Sequence, residues 1–244
     1  MRIVSTVEAR MGSTRLPGKT LAPIMGRPML DLLIERLSQS KQIDQIVVAT
    51  TTESEDDRIE KLCRDLQVGC FRGSSEDVLD RVLRAAREFG ASLIVEMTGD
   101  CPLLDPAVVD QVISLFLSGD YDYVSNIRER TYPRGLDTQV FSTVVLAEVS
   151  EITQDPADRE NVSLYIYEHP ERYRLGNLVA PQEIRRPDLR LTVDTNEDLA
   201  LVREIYQRLY PRKSDFSTRD IVELLNAHPE LVSTNAHVRQ KLVR

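Results

Sequence analysis

Val7-Glu8-Ala9-Arg10-Met11-Gly12-Ser13-Thr14-Arg15-Leu16-Pro17-Gly18-Lys19 follows directly on a short apolar, β-branched run that begins at Arg2. It precedes a helix-like stretch, Pro28–Leu37, and sets Arg10, Arg15 and Lys19 among glycines and small hydroxyls. Glycine turns leave backbone N–H groups free, and with three cations beside them they suit a polyphosphate. Residues 1–27 hold five cations against Glu8 alone, a net +4, while the whole chain of 244 residues carries −8, so the remainder sums to −12. A basic pocket in an acidic body fits a small polyanion and argues against general nucleic-acid binding.

Outward from this loop, strand and helix signals alternate. Gln45–Thr51 reads as a strand buried on both faces. A helix follows from Ser54 or Glu55 through Leu66, then a short strand over 68–72. Ser75 reads as the cap of a helix with Val78, Leu79, Val82, Leu83 and Ala86 inward, ended by Gly90. Ser92–Met97 is a central strand, and Asp105-Pro106 opens a helix through Leu117. This order predicts an α/β fold with a doubly wound, mostly parallel sheet. Beyond Tyr121 the pattern loosens into strands of the outer sheet or a small antiparallel extension, over 121–126, 136–142 and 172–179. Helices are expected over 144–152 and 157–168, then a strand at Leu189–Val193 and helices over 196–210 and 218–227. Residues 228–244 read as a polar C-terminal tail.

Apolar residues make up 41% and charged residues 29%, the composition of an ordinary globular protein. No apolar run is long enough to span a membrane, and the N-terminus carries no signal-peptide core. Cys63, Cys70 and Cys101 form no Cys-x-x-Cys pair, which points to reduced thiols in a cytoplasmic protein and away from zinc.

Two familiar phosphate motifs do not fit the loop. Gly12 and Gly18-Lys19-Thr20 imitate a P-loop, but five residues separate the glycines instead of four, and Pro17 removes an N–H from the cradle. No Gly-x-Gly-x-x-Gly follows the first strand. No histidine pairs with a serine or cysteine in a nucleophile motif, which disfavours a covalent triad. Asp100 falls just past the strand Ser92–Met97, and Asp194 just past Leu189–Val193. Acids at the carboxyl ends of two strands can converge on one hard divalent cation. Asp194 also reads as a helix cap. Gly99 permits close approach to the backbone beside Asp100. Ser74 and Ser75 can read a nucleobase edge or cap a helix. Asp120-Tyr121-Asp122 is a rival acidic pair, but it precedes a strand and reads as a solvated turn.

Ala9–Lys19 resembles the signature loop of the cytidylyltransferases that activate acidic sugars, the 3-deoxy-manno-octulosonate and acylneuraminate enzymes. It is most similar to the spore-coat polysaccharide type. Gly26-Arg27-Pro28-Met29-Leu30, Thr98–Leu103, Tyr132–Asp137, Asp158-Arg159-Glu160 and Leu191–Leu199 extend the likeness in the same order. The resemblance implies a Rossmann-like nucleotide-diphospho-sugar transferase fold, one nucleotidyltransferase domain over residues 1–227, and a homodimer. It implies Mg2+-dependent transfer of CMP from CTP to an acidic sugar with release of pyrophosphate, in surface polysaccharide or glycan synthesis. Arg10 and Lys19 would hold the phosphates and act with Asp100 in catalysis. Ala9, Gly12, Ser13, Arg15, Ser75, Thr98 and Gly99 would complete the nucleotide site, and Asp100 and Asp194 would bind Mg2+. For Arg15 a salt bridge within the loop is an equal reading. Arg134 and Asp137 would meet the sugar's carboxylate and hydroxyls, with a hairpin salt bridge as the competing reading. Three other functions stay open. They are a uridylyl- or guanylyltransferase acting on a sugar phosphate, a glycosyltransferase using Asp120 and Asp122, and a non-catalytic nucleotide-binding regulator of polysaccharide assembly.

Overall fold

Val4 and Val7 of the first strand, β1 (Ile3–Glu8), are both fully buried and point to opposite faces, so β1 lies in the interior of a sheet. The computed structural model describes residues 1–241. After β1 come a hairpin of β2 (Pro23–Ile24) and β3 (Arg27–Pro28), α1 (Met29–Leu37), β4 (Gln45–Thr51), α2 (Asp57–Asp65) and β5 (Gly69–Gly73). Then follow α3 (Val78–Glu88), β6 (Leu93–Thr98), α4 (Pro106–Ser118), β7 (Tyr123–Ser125) and β8 (Gln139–Ser142). The remainder holds α5 (Thr143–Ile152), α6 (Pro156–Glu160), α7 (Leu164–Glu168), β9 (Leu175–Asn177), α8 (Asn196–Leu209), α9 (Thr218–Ala227) and α10 (Pro229–Val232).

The main sheet has seven strands in the order β5-β4-β1-β6-β8-β7-β9. β5, β4, β1 and β6 are mutually parallel, β8 runs antiparallel to both its neighbours, and β9 is parallel to β7. The chain therefore builds outward from β1 to β5 and returns to β6 on the other side of β1. Open α/β sheets gather ligands at the carboxyl ends beside such a switch. Three apolar clusters hold the layers. Leu30 and Leu33 of α1, Cys63 of α2 and Val112 of α4 cover one face over Val7, Val48 and Val95. Leu79 and Val82 of α3, with Leu146 of α5 and Ile166 of α7, cover the other over Val4, Ala49 and Ile94. α8, α9 and α10 form a third cluster around Leu191, Val193 and Tyr206.

Several local expectations are revised. Asp77, not Ser75, caps α3, its side chain accepting from Asp80 N at 2.9 Å. The helix expected over 157–168 is two short ones, broken where Asn161 leaves the helical region at φ −121 and ψ 64. Leu189–Val193 is extended but forms only an isolated bridge, Arg134 to Arg190. Its backbone pairs with loops instead: Leu191 N donates to Arg134 O at 2.7 Å and Val193 N to Asp100 O at 2.8 Å. Gly135 (φ +101) makes this pairing possible, since a Cβ there would lie 2.5 Å from Thr192 N. Residues 228–241 fold back on the body through α10, with Leu231 and Asn235 buried.

The sheet also carries a buried acid. Glu96 pairs across β6–β8 with Gln139, whose Oε1 accepts from Tyr123 and Ser163. Burial pushes the Glu96 carboxyl up to about 7, against opposing hydrogen bonds from Ser163 and Gln139. The folded protein thus holds this proton more tightly than the unfolded chain. The stability it contributes is present in acid and is lost as pH rises from about 4.5 to about 7. Glu96→Gln is predicted to flatten that fall and to be the more stable protein at pH 8, by up to about 3 kcal/mol. Urea unfolding at pH 5 and pH 8 measures it.

Candidate active site

A cleft of about 300 Å³ opens at the carboxyl ends of β1 and β6, the switch point of the sheet. Glu8 and Ala9 leave β1 into it, and Thr98, Gly99 and Asp100 leave β6. Gly99 N donates to Glu8 O at 2.8 Å, and a Cβ at position 99 would stand 2.8 Å from that same carbonyl and 3.1 Å from the Ala9 Cβ. Only glycine lets the two strand ends close this tightly.

The Ala9–Lys19 loop forms one wall, with Arg10, Ser13, Thr14, Arg15 and Lys19 all lining the cleft. Its own backbone holds it in shape: Met11 O accepts from both Ser13 N and Gly18 N, and Met11 N donates to the buried Asp56 carboxylate at 2.7 Å. Thr20 Oγ1 ties the end of the loop back to Arg10 O at 2.8 Å. Gly12 is exposed and does not line the cleft; its place is in the turn. Ser13 Oγ accepts from Leu16 N at 3.4 Å.

Lys19 is the centre of the arrangement. Its ammonium donates to Asp100 Oδ2 at 2.9 Å, Asp194 Oδ1 at 2.9 Å and Val193 O at 2.8 Å. Burial pulls this ammonium's pKa down, but Asp100 and Asp194 outweigh it and leave the group raised, so Lys19 is a fixed cation. Asp194 also takes Arg15 on Oδ1 at 2.8 Å and Arg190 on Oδ2 at 2.7 Å. Burial would raise the Asp194 carboxyl; Lys19, Arg15 and Arg190 hold it below the usual carboxylate range. Asp194 is not a helix cap. Thr195 caps α8 and shares a capping box with Asp198, which leaves the Asp194 side chain free to face the cleft. Arg15 therefore makes a salt bridge, but to Asp194 across the cleft and not within its own loop.

Asp100 and Asp194 meet on one cation although 93 residues separate them in sequence. Among the described residues no group of three or more His, Cys, Asp or Glu is placed to hold a metal ion. Two carboxylate oxygens sharing a cation do match the donor set of Mg2+, which takes one or two carboxylates and completes its shell with water and phosphate.

Arg10 donates to Ser75 O at 3.2 Å, so Ser75 supports the loop cation through its carbonyl; its hydroxyl lies 3.4 Å from Glu53 Oε1, outside the cleft. Arg134 and Asp137 also stand apart from it. Asp137 is clasped by Arg130 at 2.8 and 3.1 Å, the hairpin salt bridge, although its partner is Arg130 and not Arg134. Arg134 lines a smaller neighbouring cavity of about 180 Å³ with Arg190 and Gln240. Burial, reinforced by Arg130, lowers the Arg134 guanidinium pKa. Asp120 and Asp122 pair with Arg174 on the surface and take no part in the cleft.

Four further residues line the cleft; in the sequence Val78 reads only as a core position and Glu160 only as part of a motif, and Arg81 and Lys241 carry no signal. Arg81 and Val78 come from α3, Glu160 from α6, and Lys241 from the C-terminal segment. Glu8 Oε1 and Arg81 Nε are buried without a hydrogen-bond partner among the described residues. Burial first, then Glu96, holds the Glu8 carboxyl well above the usual range. Period-2 alternation in β1 marks Glu8 as facing the side of Val4, but only the packing of α3 puts Arg81 over it.

Comparison with known proteins identifies the family. Residues 4–217 match the model of the family described as Cytidylyltransferase. The spore coat polysaccharide biosynthesis protein SpsF of Bacillus subtilis is 37% identical over 235 residues, covering 93% of this chain and 95% of its own. A cytidylyltransferase structure from Leptospira borgpetersenii superposes with a TM-score of 0.90 at 33% identity, covering 99% of both chains. A CMP:2-keto-3-deoxy-manno-octonic acid synthetase bound to CTP shares the fold at a TM-score of 0.65 and 21% identity, covering 86% of this chain and 100% of its own. The family model covers most of the chain and the relatives are matched along almost their full length, and this chain therefore belongs to the cytidylyltransferase family, as a nucleotidyltransferase.

Proposed function

We propose that the protein transfers CMP from CTP to an acidic sugar with release of pyrophosphate, supplying an activated sugar for surface polysaccharide or glycan synthesis. The observation that carries this reading is the seat of Lys19 between Asp100 and Asp194, in a cleft that Arg10 and Arg15 of the same loop also line. The oxygen of a sugar hydroxyl forms a bond to the α-phosphorus of CTP, and the bond from that phosphorus to the bridging oxygen of the β-phosphate breaks. Pyrophosphate leaves with the bonding pair, and the hydroxyl proton passes to solvent.

The chain's own task is placement and charge. Arg10, Arg15 and Lys19 hold phosphate oxygens, the guanidinium as a planar fork and the ammonium as a point charge. Ala9, Ser13, Thr98 and Gly99 line the cleft against the nucleotide, Gly12 serves the turn of the loop, and Ser75 fixes Arg10. Glu8 and Arg81 offer buried hydrogen-bonding atoms to the remainder of the ligand. Asp100 and Asp194 would hold Mg2+, which when bound neutralises phosphate charge as bonding changes at phosphorus. Arg134, in the adjoining cavity, is the contact for the sugar carboxylate. Asp137 acts through Arg130 and keeps that wall in place. Fixed charges of this kind need no rearrangement as the reaction proceeds, which is where most of the acceleration arises. A homodimer working in the cytoplasm completes the reading.

Asp100→Ala is predicted to lower turnover by about 100-fold or more, the usual cost of one preorganised charge partner. A pyrophosphate-release assay with CTP and a panel of octulosonic and nonulosonic acids measures it; near-normal turnover in the variant would exclude the assigned role. CTP is predicted to raise the melting temperature more than UTP, GTP or ATP at equal concentration, since only a ligand preferring the native state shifts unfolding. Stronger protection by UTP or GTP would favour a sugar-phosphate uridylyl- or guanylyltransferase. Protection by CTP without turnover on any acid would favour a non-catalytic regulator.

A further inference from the structure

Arg190 is the hinge between the cleft and the C-terminal segment. Its Nε and Nη2 engage Asp198 and Asp194, while Nη1 donates to Gln240 Oε1 at 2.6 Å. Asn235, 3% exposed, uses one amide nitrogen twice: Nδ2 donates to Arg190 O at 3.0 Å and to Asp198 Oδ1 at 2.8 Å. Asn235 therefore clamps both the backbone of Arg190 and the acid on which its guanidinium rests. Lys241, the next residue after Gln240, lines the cleft itself. We infer that Asn235 and Gln240 are positioning residues of the active site, fixing Asp194 through Arg190 so that Asp194 Oδ1 faces the cleft. The inference rests on the reading above in which Asp194 holds the divalent cation.

The physical case is one of rotation. Asp194 Oδ1 faces Lys19 and Arg15, and among the described residues its Oδ2 is held by Arg190 alone. A carboxylate turns easily about its terminal torsion unless both oxygens are fixed. Arg190 can fix Oδ2 only while its own plane is fixed, and Gln240 and Asn235 supply the contacts that Asp194 and Asp198 do not. Partners one step behind a metal ligand commonly set its affinity by 10- to 100-fold.

The test is Mn2+ binding, read from the loss of the free-ion electron paramagnetic resonance signal, on the full-length protein with a non-hydrolysable CTP analogue. Asn235→Ala and Gln240→Ala are expected to weaken Mn2+ binding by about tenfold or more. Gln240→Glu, which keeps an acceptor opposite Arg190, is expected to recover most of it. Gln240 is exposed, so Gln240→Ala is expected to melt close to the parent without metal. Asp194→Ala is the reference. If Asp194→Ala weakens binding while Asn235→Ala and Gln240→Ala bind Mn2+ as the parent does, this inference is wrong and the metal reading survives. If Asp194→Ala itself binds normally, the metal reading falls and takes the inference with it. Lowered melting in Asn235→Ala with unchanged Mn2+ affinity would mark a purely structural role and also overturn it.

Discussion

Two carboxylates cannot share the end of a sheet without a cation between them, and the Lys19 ammonium meets that constraint. Unit charges about 4 Å apart interact by roughly 4 kcal/mol at an effective dielectric of 20, so Asp100 and Asp194 would otherwise repel one another. Lys19 reaches both at 2.9 Å and anchors itself on Val193 O, a backbone acceptor that cannot rotate away. The cleft floor, the loop wall and the C-terminal third are thereby tied to one atom. The same contacts gather Arg15, Lys19 and Arg190 around two acids at one end of the cleft.

The fold delivers these groups from distant parts of the chain by short routes. β1 and β6 are neighbours, so their carboxyl ends put Ala9 and Asp100 side by side. The Leu189–Val193 segment then returns from the far half of the sequence and hangs on backbone contacts to two loops: Arg134 N to Leu189 O, Leu191 N to Arg134 O, and Val193 N to Asp100 O. The Val193 N to Asp100 O hydrogen bond aligns Asp194 with Asp100. The aspartates thus converge because the backbone of one stretch accepts from the backbone beside the other. Their side chains need only short arms to meet.

Much of this was legible. The continuous apolar runs at β1 and β4, the Asp105-Pro106 start of α4 and the Thr218–Ala227 helix follow from local patterns, and the structure places them there. The loop cations and Asp100 could be placed because strand ends precede them directly. What escaped is what depends on tertiary partners. Leu189–Val193 is as apolar as a strand, yet the place beside β6 is taken by β8, and its backbone is satisfied by loops. Ser75 and Asp77 both suit a cap, and the fold turns the Ser75 hydroxyl toward Glu53 while Asp77 takes the Asp80 N–H. Asp137 looked available until the fold brought Arg130 beside it. Asn235 and Gln240 sit in a stretch with no periodicity, and nothing local pairs them with Arg190.

Asp198 explains how so many charges are tolerated out of water. Fully buried, it closes the capping box with Thr195, accepts from the backbone of Asp194 and Thr195, and takes Arg190 and Asn235 on its remaining lone pairs. A buried charge is costly unless paired and fully hydrogen-bonded. Here one carboxylate meets that condition while serving both the start of a helix and the support of a cleft residue. Helix α8 begins where it does because Asp198 reaches back, and the same reach fixes the Arg190 guanidinium against Asp194. Helix start and cleft geometry are therefore one hydrogen-bonded unit: a change that frays the first turn of α8 also loosens Asp194, and the site cannot be built without the helix that follows it.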